Sequence, residues 1–282
     1  DGLAAPPIRA GLMTLAAAQR EMLARRADAL LYFSAPLGDS KLFQALFFDS
    51  RAVALGENEL KSLLAEPNSA PQHFAAQKNP KSSPSPMLSL SVDDAAPPSI
   101  LIQSPSPAVC RAAAEQIPGA TILDLTEGSL LADAADAMRQ NRAEWGAWID
   151  AEGGSLQIFA ADGAPLPPES VLEAIAIFRA PSKSMIVLEE NAASSVAARL
   201  RRSGLRVGRC RADRRAMALA LLERGAVLGG GPSGRIWLGG EIASADAVAA
   251  LRLWAAGAHR LLRAAPSKKP RGRAMALSVA AA

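Results

Sequence analysis

Two glycine-rich turns carry the residue types that could do chemistry. In WGAWIDAEGGSLQI, Trp145 to Ile158, an apolar run (Ala147, Trp148, Ile149) ends at Asp150. A turn holding Glu152, Gly153 and Gly154 follows, and the chain is apolar again from Leu156. A strand that delivers carboxylates into a glycine-rich turn is how many α/β proteins present oxygen ligands to a hard cation. Asp150 and Glu152 are therefore candidate metal ligands, and the competing reading is a strand-end carboxylate that accepts hydrogen bonds from the turn's own amides. The second turn, GGGPSGR from Gly229 to Arg235, offers backbone N–H groups that could cradle an anion. A strand rather than a helix follows it, so no helix dipole would assist.

Other chemistries find little footing. His73 and His259 are the two histidines, one in a Pro/Ser-rich stretch and one near a helix end, which argues against a His-based metal site or triad. Cys110 and Cys210 sit in unrelated contexts, each flanked by arginine, with neither metal spacing nor a disulfide framework. That usage suits a reducing compartment, and with the basic pI and the start at Asp1 the expectation is an intracellular location, mitochondrial or cytoplasmic.

The elements that must position these turns read as alternating helix and strand. Leu15 to Arg26 has helical periodicity, with Leu15, Gln19, Met22 and Leu23 on related faces. Ala29 to Phe33 is a strand ending at Ser34, Leu42 to Phe48 is a second apolar run, and Glu57 to Leu64 is a short helix. From Glu66 to Pro98 the composition shifts to Pro, Ser, Asn, Gln and Lys, a linker with a loosely attached strand around Met87 to Val92. Beyond it, strands at Ile100–Gln103, Ala120–Leu125, Ser184–Leu188, Leu205–Arg209 and Ala226–Gly229 alternate with helices, which implies parallel βαβ units. One long helix is expected from about Ala245 to Leu262. The four tryptophans, Trp145, Trp148, Trp237 and Trp254, lie in or beside apolar elements and read as core.

Length and composition set the frame. The 282 residues suffice for two modest domains. Half of them are apolar and 21% charged, which describes a globular, soluble, helix-rich chain. No uninterrupted apolar run reaches the length of a membrane-spanning helix. The formal charge of +4 and pI near 9.4 are mildly basic, with most arginines spread along helices. The tail carries Lys268, Lys269, Arg271 and Arg273 among prolines, a charge run that would suit contact with RNA or an acidic surface. The chain begins at Asp1 rather than Met, as a processed or trimmed protein would.

Three separated stretches, in order, resemble the α-D-phosphohexomutase family, the phosphoglucomutases and phosphomannomutases. DALLYFSAPLGDSKLFQALFFDSRAVALGENELKSLL resembles the passage around that family's phosphoserine loop, T-A-S-H-N-P, and places Ser34 at the serine position. DAEGGS, Asp150 to Ser155, resembles the metal loop D-G-D-G-D-R, and ADGAPLPPESVLEAI fits its continuation. GGPSGR resembles the sugar-binding loop G-E-x-S-G-H, with Ser233, Gly234 and Arg235 at its end, and Asp213-Arg214 sits where a G-D-R turn is usual. The resemblance implies an α/β fold of tandem βαβ domains with mixed, mostly parallel sheets flanked by helices. Its expected divisions are a partial first domain (1–66), a linker (67–98), a second domain (99–180), a third (181–263) and a basic tail (264–282).

The departures from the family's motifs shape the functional expectation. Ala35 and Pro36 replace the His-Asn pair of the serine loop. Gly154 removes a third carboxylate and Ser155 the arginine of the metal loop. Gly231 replaces the sugar loop's glutamate and Arg235 its histidine, and no counterpart of a fourth domain follows Leu262. Parts of one phosphoryl-transfer site act as a unit, so losses at several of them are hard to compensate. The expectation is a catalytically inactive pseudoenzyme without cofactor, an accessory subunit whose partners are protein subunits of a larger complex. Ser34 is then a vestigial catalytic position, Asp150 and Glu152 a vestigial metal loop, and Ser233, Gly234 and Arg235 a vestigial substrate loop. The alternative is a divergent Mg²⁺-dependent sugar-phosphate mutase or binding protein.

Overall fold

The computed structural model describes residues 11–34, 44–65, 98–124 and 134–263. The expected strand at Met87 to Val92, His73, Ala35, Pro36 and the basic tail with Lys268, Lys269, Arg271 and Arg273 lie outside the described residues.

The chain opens with helix α1, Leu15–Ala24, whose N-cap Thr14 accepts from Ala17 N–H at 3.3 Å. Its buried face holds Leu15, Ala16, Ala18, Gln19 and Met22, and Gln19 donates to the Ala52 carbonyl at 2.9 Å. Strands β1, Ala29–Ser34, and β2, Gln44–Asp49, form an antiparallel hairpin in register Leu31↔Phe47, and helix α2, Glu57–Ala65, follows. Strict alternation puts Leu31, Phe33 and Phe47 on the outer face, exposed by 47, 60 and 38%.

A four-stranded sheet comes next, in the order β4-β3-β5-β6, from β3 (Ile100–Ser104), β4 (Thr121–Asp124), β5 (Trp145–Ile149) and β6 (Leu156–Ala160). Its inner pairs are parallel and β6 closes it antiparallel to β5. Every residue of β3 is buried, as a continuous apolar run in a parallel sheet requires. Helices α3 (Pro107–Gln116), α4 (Ala134–Gln140) and α5 (Pro168–Arg179) accompany it.

The third sheet has the order β11-β10-β9-β7-β8. Its parallel core is β7 (Met185–Glu189), β8 (Arg206–Cys210) and β9 (Leu228–Gly230), and its antiparallel edge is β10 (Ile236–Leu238) and β11 (Ser244–Ala245). Helix α6 is Ser194–Arg202, and α7 is Arg214–Arg224 with Asp213 as N-cap and Gly225 closing its end in the left-handed region. Both larger sheets thus have parallel centres and antiparallel edges beside helices, the expected α/β class. Among the described residues no helix is long and apolar enough to cross a membrane.

The expected long helix from about Ala245 is a correction. Ala245 belongs to β11, and the helix runs as α8 (Ala247–Leu253), a π-type turn (Trp254–Ala258) and α9 (His259–Arg263). The break falls at Gly257, whose φ is 148°. A Cβ there would stand 2.2 Å from Cζ of Phe178, so the chain leaves helical geometry where the α5 ring presses on it. Gly257→Ala is expected to lower stability by about 2 kcal/mol through this overpacking, read as a fall in the urea midpoint at unchanged slope. This segment lies between the two sheets: Trp254, Ile100, Ile102, Ile186 and Leu188 share one buried apolar cluster. The two sheets therefore hold a common core.

Candidate functional site

The DAEGGS turn is the junction of the molecule. Gly153 turns the chain at φ 76°, and the Asp150 Oδ1 accepts from Gly154 N–H at 2.7 Å. Other elements are bonded to the turn's backbone: Leu15 N–H donates to the Glu152 carbonyl at 3.0 Å and Ala247 N–H to the Gly153 carbonyl at 2.8 Å. Leu156 N–H donates to the Gly234 carbonyl at 2.9 Å, and Ser155 makes an antiparallel bridge with Arg235. The second glycine-rich loop is thus docked against the first.

The structure brings Ser34, Glu152 and Arg235 together at the turn that also holds Asp150 and is bonded to Gly234. Glu152 is 2% exposed, and its Oε1 accepts from Ser34 Oγ at 3.0 Å. Its Oε2 accepts from Nη2 of Arg214, and only 3 and 15% of the two side chains are exposed. Ser34 itself is 9% exposed at the end of β1. Arg235 lies nearby with its Nε–H buried and without an acceptor among the described residues. Burial disfavours its charged form and Arg214 adds to that, opposed by Asp150, Glu152 and Glu189. Ser233 joins this centre through another carboxylate: its backbone N–H donates to Glu189 Oε2 at 3.1 Å and its hydroxyl to Glu189 Oε1. A Cβ at Gly231 would stand 2.7 Å from Glu189, so glycine there lets this carboxylate reach under the loop.

Sequence reasoning missed two members. Glu189 ends the apolar strand MIVLE, and a carboxylate closing a buried strand is the available signal. Arg214 reads in the sequence as the first residue of a helix and as part of a turn, with no partner named, although an arginine opening a helix without first-turn acids needs one elsewhere.

Tyr32 borders the same centre, donating to the Met13 carbonyl at 3.2 Å. Its pKa is pushed up to about 12, first by burial and then by the field of Glu152 and Asp150, with Arg214 opposing. The folded value exceeds the unfolded one of about 10. The phenol's contribution to stability is therefore intact below pH 10 and is lost as pH rises toward 12. Tyr32 is the single tyrosine of the chain, so absorbance at 295 nm should titrate near pH 12 in the native protein and near 10 in urea.

The arrangement does not fit a magnesium site. Both Glu152 oxygens already hold hydrogens, one Asp150 oxygen holds an amide, and Gly154 contributes no side chain. Two guanidiniums border the turn where a hard dication would need carboxylates and water. Among the described residues no three His, Cys, Asp or Glu side chains cluster as a metal site.

No family model matches the chain, and no curated protein matches it. Solved structures do. A putative phosphomannomutase from Thermus thermophilus matches with a TM-score of 0.63 at 13% identity, covering 88% of this chain and 64% of its own. The phosphoglucomutase pp63/parafusin from Paramecium, in its open form, matches with 0.62 at 13% identity, covering 91% and 58%. A phosphoglucomutase/phosphomannomutase family protein from Burkholderia thailandensis matches with 0.51 at 17% identity, covering 62% and 44%. The chain thus has the phosphohexomutase fold and spans between 44 and 64% of the length of these structures.

Proposed function

We propose that this chain keeps the phosphohexomutase fold without its chemistry and acts as a structural or accessory subunit of a larger protein assembly. The observation that carries this reading is the room in the cleft. Beside Glu189, Asp213, Arg214 and Arg235 the cavity measures about 10 Å³, the space of one water. Pockets that bury small ligands run to about 300–1,000 Å³. The inward-facing Ser34, whose hydroxyl proton is given to Glu152, supports the same reading. Exposed Leu31, Phe33 and Phe47 on one hairpin face support the assembly half, since contiguous apolar surface commonly marks an interface.

The test is a phosphomutase assay with glucose-1-phosphate and mannose-1-phosphate, with Mg²⁺ and a bisphosphate activator. The expected result is no turnover above buffer. Turnover that disappears in Ser34→Ala would overturn the proposal. One observation favours a second reading, binding of a sugar phosphate without turnover: the Nε–H of Arg235 beside the cleft, which has no acceptor among the described residues. That reading predicts a rise in Tm with either sugar phosphate, because a ligand that binds only the native state must stabilise it.

A further inference from the structure

The third sheet ends at β8, RVGRC, and no described strand pairs with its outer side. Arg206 N–H donates to the Ser184 carbonyl at 2.9 Å and Glu190 N–H to the Cys210 carbonyl at 2.7 Å, so Arg206 and Cys210 turn their backbone toward β7. Strand alternation then aims the backbone of Val207 and Arg209 outward. The Arg209 carbonyl indeed accepts from Arg224 Nη1, at 3.2 Å, across Gly208, where a Cβ would meet that nitrogen. The Val207 N–H and carbonyl have no partner among the described residues.

Positive charge collects beside this edge. Arg206 opens β8, and Arg201 and Arg202 close α6. Lys183 joins them, because its N–H donates to the Gly204 carbonyl at 2.8 Å. All four side chains are exposed, and none has an ion-pair partner among the described residues, whereas their neighbours Arg199 and Arg211 hold Glu173 and Asp213. The α6 dipole accounts for Arg201 and Arg202. It does not account for Arg206 or Lys183, which lie beyond that helix. Lys183 moreover stands at φ 67°, a left-handed conformation that glycine adopts freely and other residues only at a cost. The turns that follow α6 and α7 place glycines there, Gly204 at φ 81° and Gly225 at 58°. Lysine at such a position keeps a cation where glycine would relieve the backbone.

We propose that the β8 edge receives an acidic, extended segment of a partner subunit, which adds to the sheet through the Val207 backbone and sets its carboxylates against Lys183, Arg202 and Arg206. The inference rests on the assembly reading above and names the chemistry of the partner. A row of like charges repels a second copy of the same edge and so selects an occupant of opposite charge. The exposed aromatic rings among the described residues, Phe33 and Phe47, belong to the hairpin, so nucleic-acid bases find no stacking platform at β8. The free groups of Val207 match a peptide backbone instead.

The probe is a fluorescein-labelled dodecapeptide of alternating Glu and Thr, followed by fluorescence anisotropy on the full chain. Its Gln–Thr counterpart and a labelled oligothymidylate of equal length are the controls. Arg202→Glu/Arg206→Glu is expected to weaken Glu–Thr binding about tenfold or more. Val207→Pro removes the outward N–H without breaking a bond to β7, so it should weaken the peptide comparably with little change in Tm. Should that variant fold poorly, a peptide N-methylated at alternate residues blocks the same pairing on the wild type and should bind as weakly. Lys183→Gly is expected to raise Tm and weaken the peptide together, and a rise in Tm alone would overturn the part given to Lys183. No binding of the Glu–Thr peptide, equal binding of the Gln–Thr peptide, or affinity unchanged by the charge reversal overturns the proposal. So does oligothymidylate binding that is tighter than the peptide's and indifferent to Val207→Pro, the mark of a surface that reads charge alone. Phosphomutase turnover would strike the non-catalytic reading and leave the peptide affinities standing, so the two failures are told apart.

Discussion

Glu152→Ala is expected to lower the free energy of unfolding by about 3–5 kcal/mol, the cost of breaking a buried ion pair from one side. The substitution strands the Arg214 guanidinium, 15% exposed, and leaves the Ser34 hydroxyl without its acceptor. Glu152→Gln separates the two contributions, because it keeps the volume and an acceptor for Ser34 while removing the charge. If the ion pair dominates, Glu152→Gln should lose nearly as much as Glu152→Ala. If packing dominates, it should stay close to the wild type. Urea unfolding followed by tryptophan fluorescence reads both, and a loss under about 1 kcal/mol for Glu152→Ala would place the pair with solvent-screened surface salt bridges.

Trp254→Ala is expected to cost about 3–5 kcal/mol, in the range of large-to-small changes at a fully buried aromatic. Trp254 is 0% exposed and meets the edge of Trp145 with ring centroids 4.9 Å apart at 88°. Its indole Nε1–H is buried without an acceptor among the described residues, a standing penalty that the packing outweighs. Trp254→Phe gives up area but also removes that unpaired donor, so it should cost distinctly less than alanine. The informative readout is calorimetric. Trp254 packs in a cluster that contains strands of both larger sheets, so the variant should melt in one transition shifted downward. Two separated transitions would mean that the sheets hold independent cores.

The parts of the fold that are legible in the sequence are those set by local pattern. ALLYF, ILIQ and WGAWI read as strands because each is a short apolar run bounded by turn residues, and β1, β3 and β5 lie on those runs. The α7 boundary is legible in part, since Gly225 at its end accepts the left-handed conformation cheaply. The break at Gly257 is not, because AVAALRLWAAGAHRLL keeps an unbroken helical composition and the cause is a ring on α5 far away in sequence. The centre of the candidate site is half legible for the same reason. Asp150, Glu152 and the Gly229–Arg235 loop announce themselves by glycine and carboxylate spacing. Which cation Glu152 would meet depends on Arg214, brought in by a different sheet, and no local rule joins residues 62 positions apart.

The backbone bonds at the DAEGGS turn also bear on motion. Opening and closing a cleft between domains needs a few positions whose backbone angles are free to change. From Glu152 to Leu156 the chain is bonded to α1 at one carbonyl, to α8 at the next, and to the Gly234 loop through Leu156 and the Ser155–Arg235 bridge. Swinging one sheet against the other here would break these bonds together with the Glu152–Arg214 pair. The junction works as a weld, and a protein fused at this point presents a fixed outline to whatever it touches.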